Sequence, residues 1–346
     1  MTSKGPFVPD WVWGNGPDGD IVISTRARLA RSLADFPFPS RASREDLTMV
    51  VREVRSAAAG LAVRFPDINA LSVEKLSSQQ RTFLLDAHVA SVEHIEGGEG
   101  RIVVLEPSGT LSIMVNEEDH LRIQALMSGL VAQKAWELVD WADDVLSRRV
   151  HFGYSQRYGY LTASVSNVGT GLRISAMMHL AGLALRRKLN TQLRAAHDLG
   201  VSVRGMFGEG SRSAGGLIQV SNEVTLGISE KEIVERVSSV ARYLLDEERL
   251  ARKELLSAQR NRLIEGASGS LEKVRTVPAI APHQAIALLS PIRLAAELGL
   301  LEDCPRALFN ELLMGMRVGA GADDGASIDR AELMRKKLAD VDIRPG

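Results

Sequence analysis

Apolar and polar positions along the chain mark out strand-like runs and helical stretches in no regular alternation. Residues 20–24 (DIVIS) read as a short buried strand, and the basic segment TRARLARSL that follows would place two arginines at the strand's end. Residues 41–60 and 76–90 carry apolar side chains at helical spacing, the second stretch closing on Leu84, Leu85 and His88. RIVVLEPSGTLSIMVNEED is two β-rich runs around Pro-Ser-Gly-Thr, a hairpin signal, with acidic residues where the second run ends. Residues 121–147 and 172–200 are expected to be helical, and 201–227 alternates β-type runs with glycine-rich loops.

A further helix opens at Ser229 with the capping-box pattern Ser-Glu-Lys-Glu. Ile233, Val237, Val240, Leu244 and Leu245 recur along it, which predicts that it runs to about Gly266. From about 255 the composition turns helical and aliphatic, ending in a Gly/Asp loop (GAGADDGAS) and a short charged helix. The pattern predicts an α+β domain over 1–254 and a small all-helical domain over 255–346, with no internal repeat.

Composition narrows the function classes. Hydrophobic residues make up 45% of the 346, enough for a sizeable core, which excludes disordered and fibrous classes. The 42 basic residues are balanced by 43 acidic ones, which argues against a strongly basic nucleic-acid binder. No apolar run reaches the length of a membrane span and the N-terminus lacks a signal-peptide pattern, so no membrane association and a cytoplasmic location are expected. Cys304 is the sole cysteine, so neither an intramolecular disulfide nor a thiolate metal cluster can form. Of the 42 basic residues 33 are Arg, the side chain suited to bidentate grip on phosphate, although a GC-rich genome would account for most of that excess.

No G-x-x-x-x-G-K-[ST] motif occurs, which sets aside a P-loop kinase. Gly14, Gly16 and Gly19 spell G-x-G-x-x-G, but they enclose Pro17 and precede a strand, so they read as a turn. Four other segments stand out: Ser24-Thr25-Arg26-Ala27-Arg28, then Val115-Asn-Glu-Glu-Asp-His-Leu-Arg122, then Asn167-Val-Gly-Thr-Gly-Leu-Arg173, then Arg204-Gly205-Met206-Phe207-Gly208-Glu209. Any one alone would be a solvated strand end or a salt-bridged surface. Together, in this order and spacing, they resemble the phosphagen kinase (ATP:guanido phosphotransferase) family.

The resemblance implies an antiparallel sheet flanked by helices and a site for ATP and Mg²⁺, with no metal ligands from the protein. Arg26, Arg28, Arg122, Arg173 and Arg204 would clamp the nucleotide phosphates. Ser24, Thr25, Ala27, His88, Ile174, Ser175, Ala176, Met177 and Gly205–Glu209 would complete the nucleotide site. Glu118 and Glu209 would hold the guanidinium of the acceptor, Glu118 as the candidate base, with Ser164 and Asn167 beside it. The physics agrees: a γ-phosphoryl group leaving ADP spreads negative charge that fixed guanidinium groups and Mg²⁺ can stabilise without a P-loop lysine.

Family members that act on free arginine or creatine carry a helical domain before the first arginine segment, and here that segment begins at Ser24. A short entry plus C-terminal helices is the layout of the bacterial protein arginine kinases. The resemblance therefore implies protein-bound arginine as acceptor, a C-terminal domain that forms a homodimer, a Clp-type protease as partner in a stress response, and a zinc-binding activator protein. Two departures stand against the pattern. Ser164 occupies the place of the family's cysteine, and Ala326-Ser-Ile-Asp-Arg330-Ala331 keeps only the last Arg-Ala of a regulatory R-D-x-x-R-A motif. Two other readings stay open: a kinase of a small free guanidino compound, and a weakly active adaptor that binds ATP or phosphoarginine proteins.

Overall fold

The structure, a computed structural model, describes residues 7–205, 214–316 and 324–344. A 3₁₀ turn, Asp10–Trp13, leads into β1 (Val22–Arg31). Next come α1 (Arg44–Ala58), β2 (Asn69–Ser72), α2 (Ser78–Asp86), α3 (Val92–Glu96), β3 (Ile102–Leu105), β4 (Leu111–Val115) and β5 (Leu121–Ser128). Helix α4 (Ala132–Ser147) and a small hairpin, β6 (Tyr154–Ser155) with β7 (Gly159–Tyr160), precede β8 (Leu172–His179). Then follow α5 (Ala181–Leu185), α6 (Leu189–Asp198), β9 (Val201–Gly205) and β10 (Leu217–Asn222). The chain closes with α7 (Glu230–Ala258), α8 (Arg260–Thr276), α9 (Pro282–Glu297), α10 (Arg306–Met314) and α11 (Asp324–Lys337).

Eight strands form one sheet in the order β2-β3-β4-β5-β1-β8-β10-β9, with β1, β5 and β8 at its middle and every described pairing antiparallel. Successive side chains of a strand point to opposite faces. On one face Ala27 and Leu29 of β1, Ile123 and Ala125 of β5, and Ile174 and Ala176 of β8 join a core completed by α1, α4 and α7. A second core lies on the other side, where Trp11, Ile23, Leu126 and Leu217 meet residues of α8 to α11. The boundary expected at 254/255 falls in the last turn of α7, whose Ala251 packs in the first core and Leu255 in the second.

The hairpin β3–β4, the Ser229 capping box and helix α1 lie where the sequence pattern puts them. Four expectations are corrected. Strand β1 continues through Arg31, so Arg26 and Arg28 sit inside the strand and not past its end. Residues 121–128 and 172–179 are strands, although Leu, Met, Ala and Gln favour helix; sheet neighbours on both sides override propensity. The long helix breaks at Gln259 (φ −139°), before the expected Gly266, and α8 starts at Arg260.

Arg31 joins these layers from within the core. It is 1% exposed, ion-paired to Asp143 of α4 at 3.0 Å, and donates to the Thr170 carbonyl at 2.8 Å. The face of Tyr160 lies 3.5 Å from its guanidinium. Burial, opposed by Arg31 and reinforced by Glu230 and Asp140, pushes the Asp143 carboxyl up to about 6. Breaking a buried pair by removing one partner leaves the other uncompensated, so Arg31→Met is expected to cost about 3–5 kcal/mol in urea unfolding at pH 8. The double variant Arg31→Met/Asp143→Leu recovers a large part of that loss, and a single variant as stable as the parent chain would contradict this role.

Candidate active site

The sheet face opposite the first core carries the chemistry. On β1, Arg26 and Arg28 share a side, and the registers extend that side across the sheet. Arg28 stands opposite Gln124 of β5 and Arg173 of β8; Arg26 stands opposite Leu126 and Ser175; Ala30 stands opposite Arg122. Through Met177 and Gln219 the same side reaches Arg204 on β9. All five arginines marked in the sequence therefore project from one face, as does Ser24.

Above this face opens a cleft of about 490 Å³ whose floor includes Ser24, Arg26, Arg28, Arg122, Gln124 and Ser175. Its two ends differ in chemistry. At the start of β1, a register shift between Val22 and Ser24 turns Ile23 toward Trp11, Leu126, Met177 and Leu217. His88, with φ +58°, brings its ring to 5.6 Å from Trp11 and accepts a hydrogen bond at its carbonyl from Gln124 (2.7 Å). Burial and the nearby Arg26 lower the His88 imidazole to about 4, so it faces the cleft neutral. Farther along β1 the floor is cationic. Burial, then Arg122 and Arg173, hold Arg26 down at about 10, and burial, then Arg26, Arg122 and Arg173, lowers Arg28 well below its ordinary value. Among the described residues neither Arg26 nor Arg28 has a carboxylate within ion-pair distance, so the sheet holds on this floor positive charge of the kind that suits an anion.

Arg122 has a carboxylate partner, Glu117 at 2.7 Å. Burial raises Glu117, but Arg122 and the Ser91 hydroxyl outweigh it and hold the carboxyl below its usual range. Arg173 donates to Ser221 Oγ and Arg204 to Ser202 Oγ, both at 3.3 Å.

At the far end of β1 lies the loop 116–120. Asn116, at φ +65°, donates to the Leu47 and Gly100 carbonyls. Asp119 accepts from Ser32 Oγ and Ala163 N, both at 2.7 Å, and from Asn167, while burial raises its carboxyl. His120 Nδ1 accepts from Leu33 N at 3.0 Å. With its neighbours fixed, Glu118 is the exposed member of the loop. The contacts of Asp119 bring the loop of Ser164 and Asn167 against it; Ser164 Oγ lies 3.0 Å from Ser166 Oγ. Gly169 and Gly171 let that loop press onto its neighbours, since a Cβ would lie 2.2 Å from Thr225 O and 2.6 Å from Ala30 O respectively.

The chain matches the model of the ATP:guanido phosphotransferase C-terminal catalytic domain over residues 49–251. The chain belongs to the ATP:guanido phosphotransferase family. It is 42% identical to a protein-arginine kinase of Moorella thermoacetica, covering 95% of this chain and 97% of the relative. With a protein-arginine kinase of Halothermothrix orenii it shares 38% identity, over 89% of this chain and 87% of that one. Its fold is similar to that of lombricine kinase (TM-score 0.61, 24% identity, 74% of each chain). It is also similar to the duplicated taurocyamine kinase of Schistosoma mansoni with bound transition-state analog components (TM-score 0.62, 23% identity, 79% of this chain and 40% of that one).

Within this phosphotransferase fold the marked residues divide. Thr25, Ala27, Ile174 and Ala176 turn their side chains to the first core; Thr25 Oγ1 donates to the Gly129 carbonyl at 2.6 Å, so they shape the cleft from beneath. Gly205 ends β9, and Met206, Phe207, Gly208 and Glu209 lie outside the described residues. Arg330, from the degenerate motif, donates to the Ile280 carbonyl at 2.8 Å. Trp11, Ser91, Gln124 and Leu126 line the cleft without having been singled out in the sequence. Gln124 and Leu126 fell in a stretch expected to be helical, and their alternation with Ile123 and Ala125 was the signal available.

The anchoring of the acidic loop depends on a neutral imidazole. His120 Nδ1 accepts a hydrogen bond from Leu33 N and so carries no proton, and burial lowers this group from 6.5 to about 4. A folded pKa below the unfolded one means its stabilising contribution is present above 6.5 and is lost as pH falls through about 4. His120→Asn is expected to unfold with about 1–2 kcal/mol less stability at pH 7.5. The gap to the parent chain should narrow steadily on acidification, and a gap independent of pH would contradict the assignment.

Proposed function

We propose that this chain is a protein arginine kinase, transferring the γ-phosphoryl group of ATP to the guanidinium of arginine side chains in proteins. The observation that carries the reading is the row of five arginines on one sheet face, with Glu118 exposed beyond its end. The likeness over 95% of the chain to a relative of that activity supports it.

In this reading the neutral end of the cleft takes the base, Arg26 and Arg28 take the phosphates, and Arg122, Arg173 and Arg204 flank the transferred group. The acceptor's guanidinium has a pKa above about 12, so it cannot be deprotonated in advance. Its terminal nitrogen attacks the γ-phosphorus as the bond to the bridging oxygen of ADP breaks, and the nitrogen's proton passes to the Glu118 carboxylate. Glu209 is proposed as the second carboxylate of the fork. Ser164 offers the guanidinium a neutral hydroxyl where the family pattern has a thiol. Among the described residues no group of three His, Cys, Asp or Glu side chains is arranged to hold a metal ion. Mg²⁺ is proposed to come with the nucleotide and to neutralise charge on its phosphates.

We extend the reading to the setting that the family resemblance implies: a cytoplasmic homodimer joined through residues 255–346. Its phosphoarginine would mark proteins for a Clp-type protease in a stress response, with a zinc-binding activator protein. None of the described helices is long and apolar enough to cross a membrane.

The test is mass spectrometry, under conditions that spare acid-labile phosphates, of an arginine-rich protein incubated with the chain and Mg-ATP. Phosphoarginine is expected with the parent chain and is reduced roughly 100-fold or more in Glu118→Gln, the loss typical of removing a general base. No phosphoarginine from a chain that binds ATP, or modification of free arginine alone, would overturn the reading.

A further inference from the structure

We propose that helix α10 of the C-terminal helical region is the wall of the cleft against which the nucleotide base packs, so that nucleotide binding clamps this region onto the sheet. The inference rests on reading the cleft as the nucleotide site.

The cleft is not closed by the sheet and its own loops alone. Leu313, Met314 and Met316, at the C-terminal end of α10, line it together with Trp11. Leu313 and Met316 are 6% and 2% exposed and belong to the second core, while Met314 packs against that core partly open. The end of the cleft is therefore continuous with the interior of the helical region. A nucleoside triphosphate has a flat, weakly polar base at one end and the anionic group at the other. The arginines of β1 begin at Arg26, next to the apolar end built on Ile23 and Leu126, so the base is directed toward α10. Methionine suits such a wall: its unbranched, polarisable thioether fits against a ring face with little strain.

The anchorage of α10 makes the contact consequential. Asn310 donates to the Trp11 carbonyl at 3.3 Å, Arg293 of α9 donates to Asn310 Oδ1 at 2.9 Å, and its other terminal nitrogen donates to the Gly19 carbonyl at 3.1 Å. Gly14 (φ +65°) allows the approach, since a Cβ there would lie 2.9 Å from Arg306 Cβ. The entry segment 11–19 is thus held by α9 and α10, and Trp11 sits between α10 and the His88 ring. A base bound beside Trp11 and Met314 bridges two parts of the chain about 300 residues apart in sequence, and any free energy it gains there must also oppose their separation. The coupling is reciprocal: whatever shifts α10 changes nucleotide affinity by the same factor.

The test is hydrogen exchange of the full chain with and without a non-hydrolysable ATP analogue and Mg²⁺, read in two segments. Residues 86–93, which line the cleft between α2 and α3, report its occupation, and residues 306–316 report α10. Slowed exchange in both is expected, by several-fold in 306–316. Protection of 86–93 with 306–316 unchanged would overturn the inference while leaving the nucleotide site standing. Protection of neither, with the analogue shown by dialysis to be bound, would overturn the reading of the cleft itself. As a second measurement, Met314→Ala is expected to raise KM for ATP roughly five- to tenfold and leave KM for the protein acceptor unchanged. An unchanged KM for ATP would contradict the base wall.

Discussion

Like charges held together on one rigid face are the constraint on which the rest of this structure depends. Burial first, and then mutual repulsion with Arg122 and Arg173, pull Arg26 down to about 10, and the same causes lower Arg28 well below its ordinary value. Left on a flexible loop, such a group would splay into water. Here each is fixed by strands that hydrogen-bond to both neighbours, and the opposite face of those strands is anchored in the first core. The stability of that core holds the arginines in place, and a polyanion in the cleft, as proposed, would offset both the repulsion and the lost hydration. Preorganised charge of this kind can favour phosphoryl transfer without rearrangement at the moment of reaction.

Strand β1 carries the plan along its length. Its cleft side runs from Ser24 through Arg26 and Arg28, its core side from Thr25 through Ala27 and Leu29 to the buried Arg31. Just past its end, Ser32 and Leu33 hold Asp119 and His120 of the acidic loop. Arg31 and Ala30 meanwhile bond Thr170 and Gly171 of the loop that follows Ser164. One strand thus sets the spacing between an apolar end, a cationic floor and an exposed carboxylate. That spacing is a matter of register, which a one-residue slip would reverse.

Much of this is legible in the chain itself. The acidic run, the N-x-G-T loop and the arginine segments are recognisable by type and spacing because each is contiguous. The hairpin β3–β4 and the Ser229 cap are likewise local signals. What the sequence concealed was non-local. Residues 121–128 and 172–179 are built of Leu, Ala, Met and Gln, which favour helix, and only their placement beside β1 makes them strands. The role of Asp119 as the clamp between two loops, and the meeting of Trp11 with Met314, are contacts that no spacing encodes. Thr25 and Ala27 belong to the most recognisable segment, yet their side chains serve the core.

The most direct measurement is a crystal structure of the full chain with Mg-ADP, nitrate as a planar mimic of the transferred phosphoryl group, and an arginine-containing peptide. The account predicts the base against Trp11 and Met314, nitrate among Arg122, Arg173 and Arg204, and the peptide's guanidinium on Glu118. A base lying at the acidic-loop end, or an acceptor arginine bound away from Glu118, would contradict it.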